Sequence, residues 1–281
     1  MVKFVGVIGD PIHHSLSPSM HNAVFKKYKM DYLYLPFHVT PRQLSDFVKH
    51  ANLWDLKGFN ITIPHKKSIM RYCHQLSCEA KLIGAVNTVV IRSGQWKGHN
   101  TDYEGFLTAL KKSHCHPQNK NVVLIGAGGA AHAVLYGLCL QKARSVIVVD
   151  LYKKTAQGLV RHFQKKFPKT SLRALSWKEV DLKKILGETF LLVNASPIGL
   201  NGTSFKNLPL SHMPPKSFVY DLVYTPLVTP LLRQARRHGL KTIPGIDMFI
   251  HQGARAFYLW TRRRPDVRLM KSTILKYLKK A

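Results

Sequence analysis

Short β-rich runs, each broken by a helix-start signal, fill the first third of the chain. KFVGVIG, YLYLPFH, GFNITI and AVNTVVI read as strands, since branched and aromatic residues suit a pleated, half-buried surface. Between them, Ser17-Pro18 and Thr40-Pro41 each set a capping hydroxyl before a proline at the first helical position, and Pro64 opens a third predicted helix in the same way. A second series of elements begins near Asn119. NKNVVLIG has the pattern of a buried strand and leads through a glycine-rich turn into a helix over 130–141; RSVIVVD is the next strand, followed by a helix through Lys166. TFLLVNAS and SFVYDLV predict two later strands. From Gly245 the pattern turns helical: GIDMFIHQGARAFYLW brings Ile246, Phe249, Ile250, Phe257, Leu259 and Trp260 near one face. The closing KSTILKYLKK predicts a basic amphipathic helix with its Lys/Arg face in water. This alternation predicts an α/β fold with mostly parallel sheets.

Length and composition set the scale. At 281 residues the chain exceeds the usual size of one domain, so two are expected, and a hydrophobic share of 45% is enough for two cores. No apolar run approaches the roughly 20 residues that span a bilayer. The opening MVKFVGVIGDP lacks the longer apolar region and cleavage site of a signal peptide, so a cytoplasmic location is expected. Cys73, Cys78, Cys115 and Cys139 show no CxxC pairing and read as reduced structural thiols. The histidines are scattered outside any metal-ligand frame, and no metal site is predicted. Charge is the unusual quantity: 43 Lys and Arg against 14 Asp and Glu give a net +29. Such a field attracts nucleic acid, anionic lipid or anionic substrates. The excess is spread along the chain, however, with only short knots such as Arg262-Arg263-Arg264, and no nucleic-acid-binding motif accompanies it. It reads as a generally basic surface, without a specific nucleic-acid or membrane partner.

Gly126-Ala127-Gly128-Gly129-Ala130 directly follows a strand and opens a helix. Glycines there let the backbone turn tightly and approach a pyrophosphate, which then sits on the helix N-terminus. A glycine-rich turn alone is common, but here the next strand ends in Asp150, 24 residues after Gly126. That is close to the spacing of the acid that binds an adenosine ribose, so the pair predicts a dinucleotide site. A carboxylate at Asp150 accepts from a free 2′-hydroxyl and repels a 2′-phosphate, which favours NAD. Lys153 and Lys154 follow within one turn and offer either a phosphate grip or ordinary solvated charge.

Four segments of the first third combine small polar residues with turn formers: 9–22 (GDPIHHSLSPSMHN), 58–66 (GFNITIPHK), 84–88 (GAVNT) and 100–102 (NTD). They supply hydroxyls, amides, one lysine and one aspartate at strand ends, the equipment needed to hold a hydroxylated acid and move a proton. Each also has a plain alternative. Ser15 and Ser17 serve equally as helix caps, Lys66 as a surface residue, and Asn100 and Asp102 as turn residues.

Together the segments resemble the shikimate dehydrogenase family, which includes the quinate/shikimate dehydrogenases. The pattern GxPxxHSxSPxxHN matches 9–22, NxTxPxK matches 60–66, and GAVNT and NTD match 84–88 and 100–102; GAGGA matches 126–130 and NA[ST]PxG matches 194–199. Near the end, Asp221 to Tyr224, Thr229 to Leu232, Gly239, Gly245, Met248, Gln252 and Trp260-Thr261 follow in family order, so the resemblance spans nearly the whole chain. It implies an N-terminal α/β substrate-binding and catalytic domain (1–104), a Rossmann NAD(P)-binding domain with a parallel sheet (105–244), a cleft between them, and C-terminal helices (245–281) returning to the first domain.

The same resemblance implies the site. Ser15 and Ser17 bind the substrate carboxylate; Thr62, Asn87, Asp102 and Gln252 hold ring hydroxyls; Tyr224 adds a contact near the carboxylate. Lys66 and Asp102 form the catalytic pair. Gly126, Ala127, Gly128, Gly129 and Ala130 hold the pyrophosphate, with Asp150 at the ribose and Leu222 and Gly245 beside the nicotinamide. The implied reaction is the reversible NAD(P)H-dependent reduction of 3-dehydroshikimate to shikimate, in aromatic amino-acid biosynthesis through chorismate, by a monomer or homodimer. NADP-using members carry an Asn-Arg-[Ser/Thr] run after the second Rossmann strand. Here the run is Asp150-Leu151-Tyr152, and His132 stands where an arginine is frequent. Those departures favour NAD and raise the alternative of an NAD-dependent quinate/shikimate dehydrogenase, while HSLSP at 14–18 looks like the biosynthetic branch. A third possibility, a basic nucleic-acid-binding protein that has lost activity, rests on charge alone.

Overall fold

A computed structural model describes residues 2–280 and divides the chain into two units. The first unit comprises the residues up to Asp102 together with those from Ile250 onward. It contains β1 (Lys3–Gly9), α1 (Ser17–Lys27), β2 (Tyr32–His38), α2 (Leu44–Ala51), β3 (Leu56–Ile61), β4 (Gln75–Leu76), α3 (Cys78–Ile83), β5 (Thr88–Arg92) and β6 (Gln95–His99). The sheet order is β2-β1-β3-β5-β6-β4. β1 runs parallel to β2 and β3, whereas β5 is antiparallel to both β3 and β6. The sheet is therefore mixed, with three of its five pairings parallel. Its reversal rests on a two-residue turn in which Ser93 and Gly94 both have left-handed φ values, 46° and 73°, the geometry that matches hairpin twist. Ile8, Phe59, Ile69, Val86, Val89 and Trp96 form its core.

No α-helix starts at Pro64. Residues 63–67 are turns, and a 3-10 helix follows at Ser68–Tyr72. A tertiary bond competes with the helix: the Lys66 carbonyl accepts the Val86 N–H at 2.8 Å, and the Met70 N–H donates to the Lys67 carbonyl at 3.2 Å, the tighter i to i+3 pattern. Nor does Ser17 cap its helix. It is the first residue of α1, with Leu16 at the cap and no side-chain cap bond. Thr40 does behave as expected, forming a reciprocal capping box with Gln43.

Asp102 ends the first unit and begins α4 (Asp102–Lys112), which leads into the second, Tyr103–Phe249. There follow β7 (Asn121–Ile125), α5 (Gly129–Leu140), β8 (Ser145–Asp150), α6 (Lys153–Gln164), β9 (Ser171–Ser176), α7 (Leu182–Gly187), β10 (Leu191–Asn194), β11 (Ile198–Asn201), β12 (Phe218–Asp221), α8 (Pro230–Arg237) and β13 (Lys241–Pro244). Six strands, in the order β13-β12-β10-β7-β8-β9, form a sheet whose pairings are all parallel. This is a doubly wound sheet, with the order reversing after β7. Its strands read as nearly continuous apolar runs because both faces are covered: Val122, Val123, Leu124 and Ile125 are all at most 3% exposed. α9 (Ile246–Thr261) begins in the second unit and ends in the first, and α10 (Val267–Lys280) closes the chain. Within the first unit, Lys27 on α1 pairs with Asp266 at 2.6 Å, ahead of α10.

Candidate active site

The first unit contains one nearly buried ion pair. Lys66 Nζ donates to Asp102 Oδ2 at 2.6 Å, and the two side chains are 14% and 7% exposed. Removing charges from water is costly unless the remaining lone pairs are satisfied, and here they are. Asp102 Oδ1 accepts from Asn87 Nδ2 at 2.8 Å. Asn87 is oriented in turn, because its Oδ1 accepts the Thr101 backbone N–H at 2.7 Å, and its Nδ2 also reaches Gln252 Oε1 at 3.4 Å. Asn100 braces the same turn: its Oδ1 accepts the Asp102 N–H at 3.1 Å while its Nδ2 donates to the Ala85 carbonyl at 3.0 Å. Four residues predicted from separate segments, Lys66, Asn87, Asp102 and Gln252, thus share one hydrogen-bonded network.

Ser15, Ser17 and Thr62 lie past the C-terminal ends of β1 and β3, where open α/β sheets bind ligands. The Ser17 N–H donates to Ser15 Oγ at 3.4 Å, and the Thr62 N–H donates to the Ile8 carbonyl at 2.9 Å. The Asp10 N–H reaches the Ile63 carbonyl at 3.0 Å, tying the serine loop to the threonine turn. Sequence reasoning missed the pair beside them: His38 Nε2 lies 2.8 Å from Asp10 Oδ1, with the His13 ring 5.2 Å from that of His38. The available signal was a histidine ending β2, whose register with β1 sets His38 opposite Gly9.

In the second unit, the glycine-rich turn has the form that a pyrophosphate requires. Gly126 has φ +94°, and a Cβ there would lie 2.9 Å from the Ser196 backbone nitrogen, so any side chain is excluded. Gly128 caps α5, and a Cβ on it would meet nothing within 4 Å. The cradle is open on the side of the helix N-terminus, where unpaired N–H groups favour an anion. Asp150 is bound more closely to this turn than the sequence suggests. Its Oδ2 accepts the Ala127 N–H at 2.9 Å and its Oδ1 accepts the Tyr152 N–H at 3.0 Å. Leu151 and Tyr152 beside it are 64% and 69% exposed. His132 is 5% exposed and packs its ring against His162 and Phe163. Lys153 is paired with Glu179 at 2.9 Å, a partner that sequence reasoning did not find.

Leu222 and Tyr224 follow β12, which ends in a buried carboxylate of the second unit, and Gly245 packs on the Leu222 backbone. Asp221 Oδ1 accepts from Asn194 Nδ2 at 2.9 Å and from the Val223 N–H at 3.1 Å, and Oδ2 accepts from Thr229 Oγ1 at 2.6 Å. Burial still pushes its pKa up to about 6. This explains the 194–199 segment: Asn194 anchors the loop after β12. Gly245 lets the chain pass the Leu222 backbone, since a Cβ on it would lie 2.9 Å from the Asp221 carbonyl oxygen. Tyr224 stacks on Phe249 at 4.5 Å, and burial pushes its phenol up to about 12. Among the described residues no group of three or more His, Cys, Asp or Glu could hold a metal ion, and no helix is long and apolar enough to cross a membrane.

The family model for the shikimate dehydrogenase substrate binding domain matches residues 7–89, and that for the shikimate 5′-dehydrogenase C-terminal domain matches 245–275. A shikimate dehydrogenase (NADP(+)) of Methanococcus maripaludis is 38% identical over 276 residues, 97% of each chain. A shikimate 5-dehydrogenase of Listeria monocytogenes, solved with shikimate and NAD, is 33% identical with a TM-score of 0.89, covering 97% of this chain and 96% of that one. A quinate dehydrogenase of Corynebacterium glutamicum, solved with NAD, is 30% identical with a TM-score of 0.90, covering 98% and 99%.

Proposed function

This chain belongs to the shikimate dehydrogenase family, and from that premise we propose that it catalyses the reversible NAD(P)H-dependent reduction of 3-dehydroshikimate to shikimate. The Lys66–Asp102 pair carries the reading. A bound nicotinamide supplies the hydride. The protein's own task is to manage the charge left on the carbonyl oxygen as it becomes an alkoxide. Lys66 Nζ holds a proton and a positive charge for that oxygen. Asp102 aims the lysine, and its Oδ1 is already fixed by Asn87, so little reorganisation is needed during the reaction. Asn87, Gln252 and Thr62 supply donors and acceptors for ring hydroxyls, Ser15 and Ser17 hold the carboxylate, and Tyr224 adds a contact near it.

The 126–130 turn suits a pyrophosphate, with the open side of Gly128 toward it and the α5 N-terminus as its anion site. Leu222 and Gly245 would serve the nicotinamide end. NAD is the preferred cofactor in this reading, because Asp150 sets a carboxylate at the adenosine end. The same residue supports a second reading, an NAD-dependent quinate/shikimate dehydrogenase.

Oxidation of shikimate and of quinate, each with NAD and NADP and followed at 340 nm, tests both readings. Turnover of shikimate with NAD the better cofactor is expected; comparable efficiency on quinate would favour the second reading. Lys66→Ala should lower kcat by about 10²- to 10⁴-fold while changing KM far less. A variant retaining full kcat would remove Lys66 from the chemistry.

A further inference from the structure

We infer that Glu179 is a cofactor-specificity residue, acting on the adenosine 2′ position through its hold on Lys153. The inference rests on the cofactor reading above and extends it to a residue that lies outside the glycine turn and the β8 terminus.

The placement follows from the sheet. β8 and β9 run parallel, with Asp150 in register with Ser176, and the Trp177 N–H donates to the Asp150 carbonyl at 3.0 Å. Both strands therefore end together. Lys153 lies three residues beyond Asp150 and Glu179 three beyond Ser176, so all three charges stand past the same sheet edge, the edge from which the glycine turn also departs. Lys153 Nζ donates to Glu179 Oε1 at 2.9 Å, with side chains 45% and 48% exposed. Glu179 is itself held from below: its N–H donates to the Ser176 carbonyl at 3.1 Å, and its carboxylate is bonded to Ser176 as well as to Lys153. These bonds keep its acidity stronger than that of an ordinary glutamate.

A 2′-phosphate is a dianion near neutral pH and needs cations at this point. Of the two lysines nearest Asp150 in the chain, Lys153 already faces a carboxylate. To serve a phosphate it must leave Glu179, and both Glu179 and Asp150 then repel the incoming charge. Asp150 and Glu179 place two carboxylates past the ends of these neighbouring strands, among Lys153, Lys154 and Lys178. A free ribose 2′-hydroxyl meets no such opposition. Because the pair is about half exposed, water screens it, and the effect expected is moderate.

Calorimetric titration with adenosine 2′,5′-bisphosphate and with 5′-AMP reads the effect without turnover. Wild type, Glu179→Gln and the double variant Glu179→Gln/Lys153→Gln would be compared at low ionic strength, with thermal unfolding confirming that each is folded. Glu179→Gln should tighten the bisphosphate about three- to tenfold relative to 5′-AMP, and the kcat/KM ratio for NADP over NAD should rise in step. The double variant should lose that gain. Equal shifts for both nucleotides, no shift, or a gain that survives loss of Lys153 would each overturn the assignment and leave the pair an ordinary surface contact. The wild-type NAD:NADP ratio reads the underlying cofactor preference separately. A wild type preferring NADP would refute that preference, while the response to Glu179→Gln still decides the role of Glu179.

Discussion

His21 should give this protein a steep loss of stability in mild acid. Its ring is fully buried and stacked on Tyr34 at 4.5 Å, with Phe25, Phe257 and Trp260 around it, and neither ring nitrogen has a hydrogen-bond partner. Burial lowers its pKa to about 3 from an ordinary 6.5. Between those values the unfolded chain binds a proton that the folded chain refuses, so stability is fully present above 6.5 and falls as pH drops toward 3. From pH 7 to pH 5 the linkage integral is about 2 kcal/mol. His21→Leu replaces the ring with an apolar side chain of similar bulk and removes the titration. Urea unfolding of both proteins at pH 7 and pH 5 isolates the term, since everything else that titrates is common to both. His99, lowered to about 4 by burial, adds to the acid loss in each. Asp221, raised to about 6, acts oppositely, its contribution to stability being lost as pH rises from 3.8 through 6. The wild type should lose about 2 kcal/mol more than His21→Leu over this interval. Parallel pH profiles for the two proteins would refute the reasoning and mean that His21 is protonated, or solvated, in the fold.

Gly128→Ala should fold normally, because the added methyl meets no protein atom, yet weaken NAD(H) binding by filling the cradle; unchanged affinity in a fluorescence titration would count against a pyrophosphate there. Gly126→Ala must adopt a strained φ and press on the backbone at Ala195–Ser196, so it should cost at least about 1–3 kcal/mol of stability, read as a lowered midpoint of unfolding. Asp102→Asn leaves Lys66 without its anionic partner and should lower kcat by about 10²-fold or more while changing KM far less. A loss confined to KM would make Asp102 a binding group only.

The strands were legible where they are long and apolar: KFVGVIG and RSVIVVD correspond closely to β1 and β8. β6 escaped because QWKGH reads polar, with only Trp96 and Gly98 buried in alternation. β9, β13, α7 and α8 are six to eight residues or shorter, too brief for a periodicity to declare itself. The helix predicted at Pro64 failed because local capping signals carry no information about the segment before β5, 20 residues away, whose Val86 N–H bonds the Lys66 carbonyl. Among site residues, Lys66 and Asp102 were readable as types in motifs, whereas the bond between Asn87 and Asp102 depends on the β5–β6 pairing. Glu179 was not readable, because only the β8–β9 register brings it to Lys153. Asp150 was recognised by spacing, but its two backbone bonds could not be inferred from spacing.

The first unit is discontinuous in sequence, interrupted after Asp102 and resumed at Ile250. Synthesis is vectorial, so a nascent chain holds the Lys66–Asp102 pair long before Gln252 and Trp260 exist. Met20 and His21 cannot meet Gly253 on α9, nor the Val89 carbonyl its Trp260 partner at 2.9 Å, until the chain has been made past Trp260. The second unit is contiguous and is complete at Phe249. The order of completion is therefore built into the connectivity: the contiguous unit closes at Phe249, and the unit that holds Lys66 and Asp102 closes after it, through α9 and α10. A chain cut before α9 would lack Phe257 and Trp260 and leave the α1 face they cover exposed to proteases.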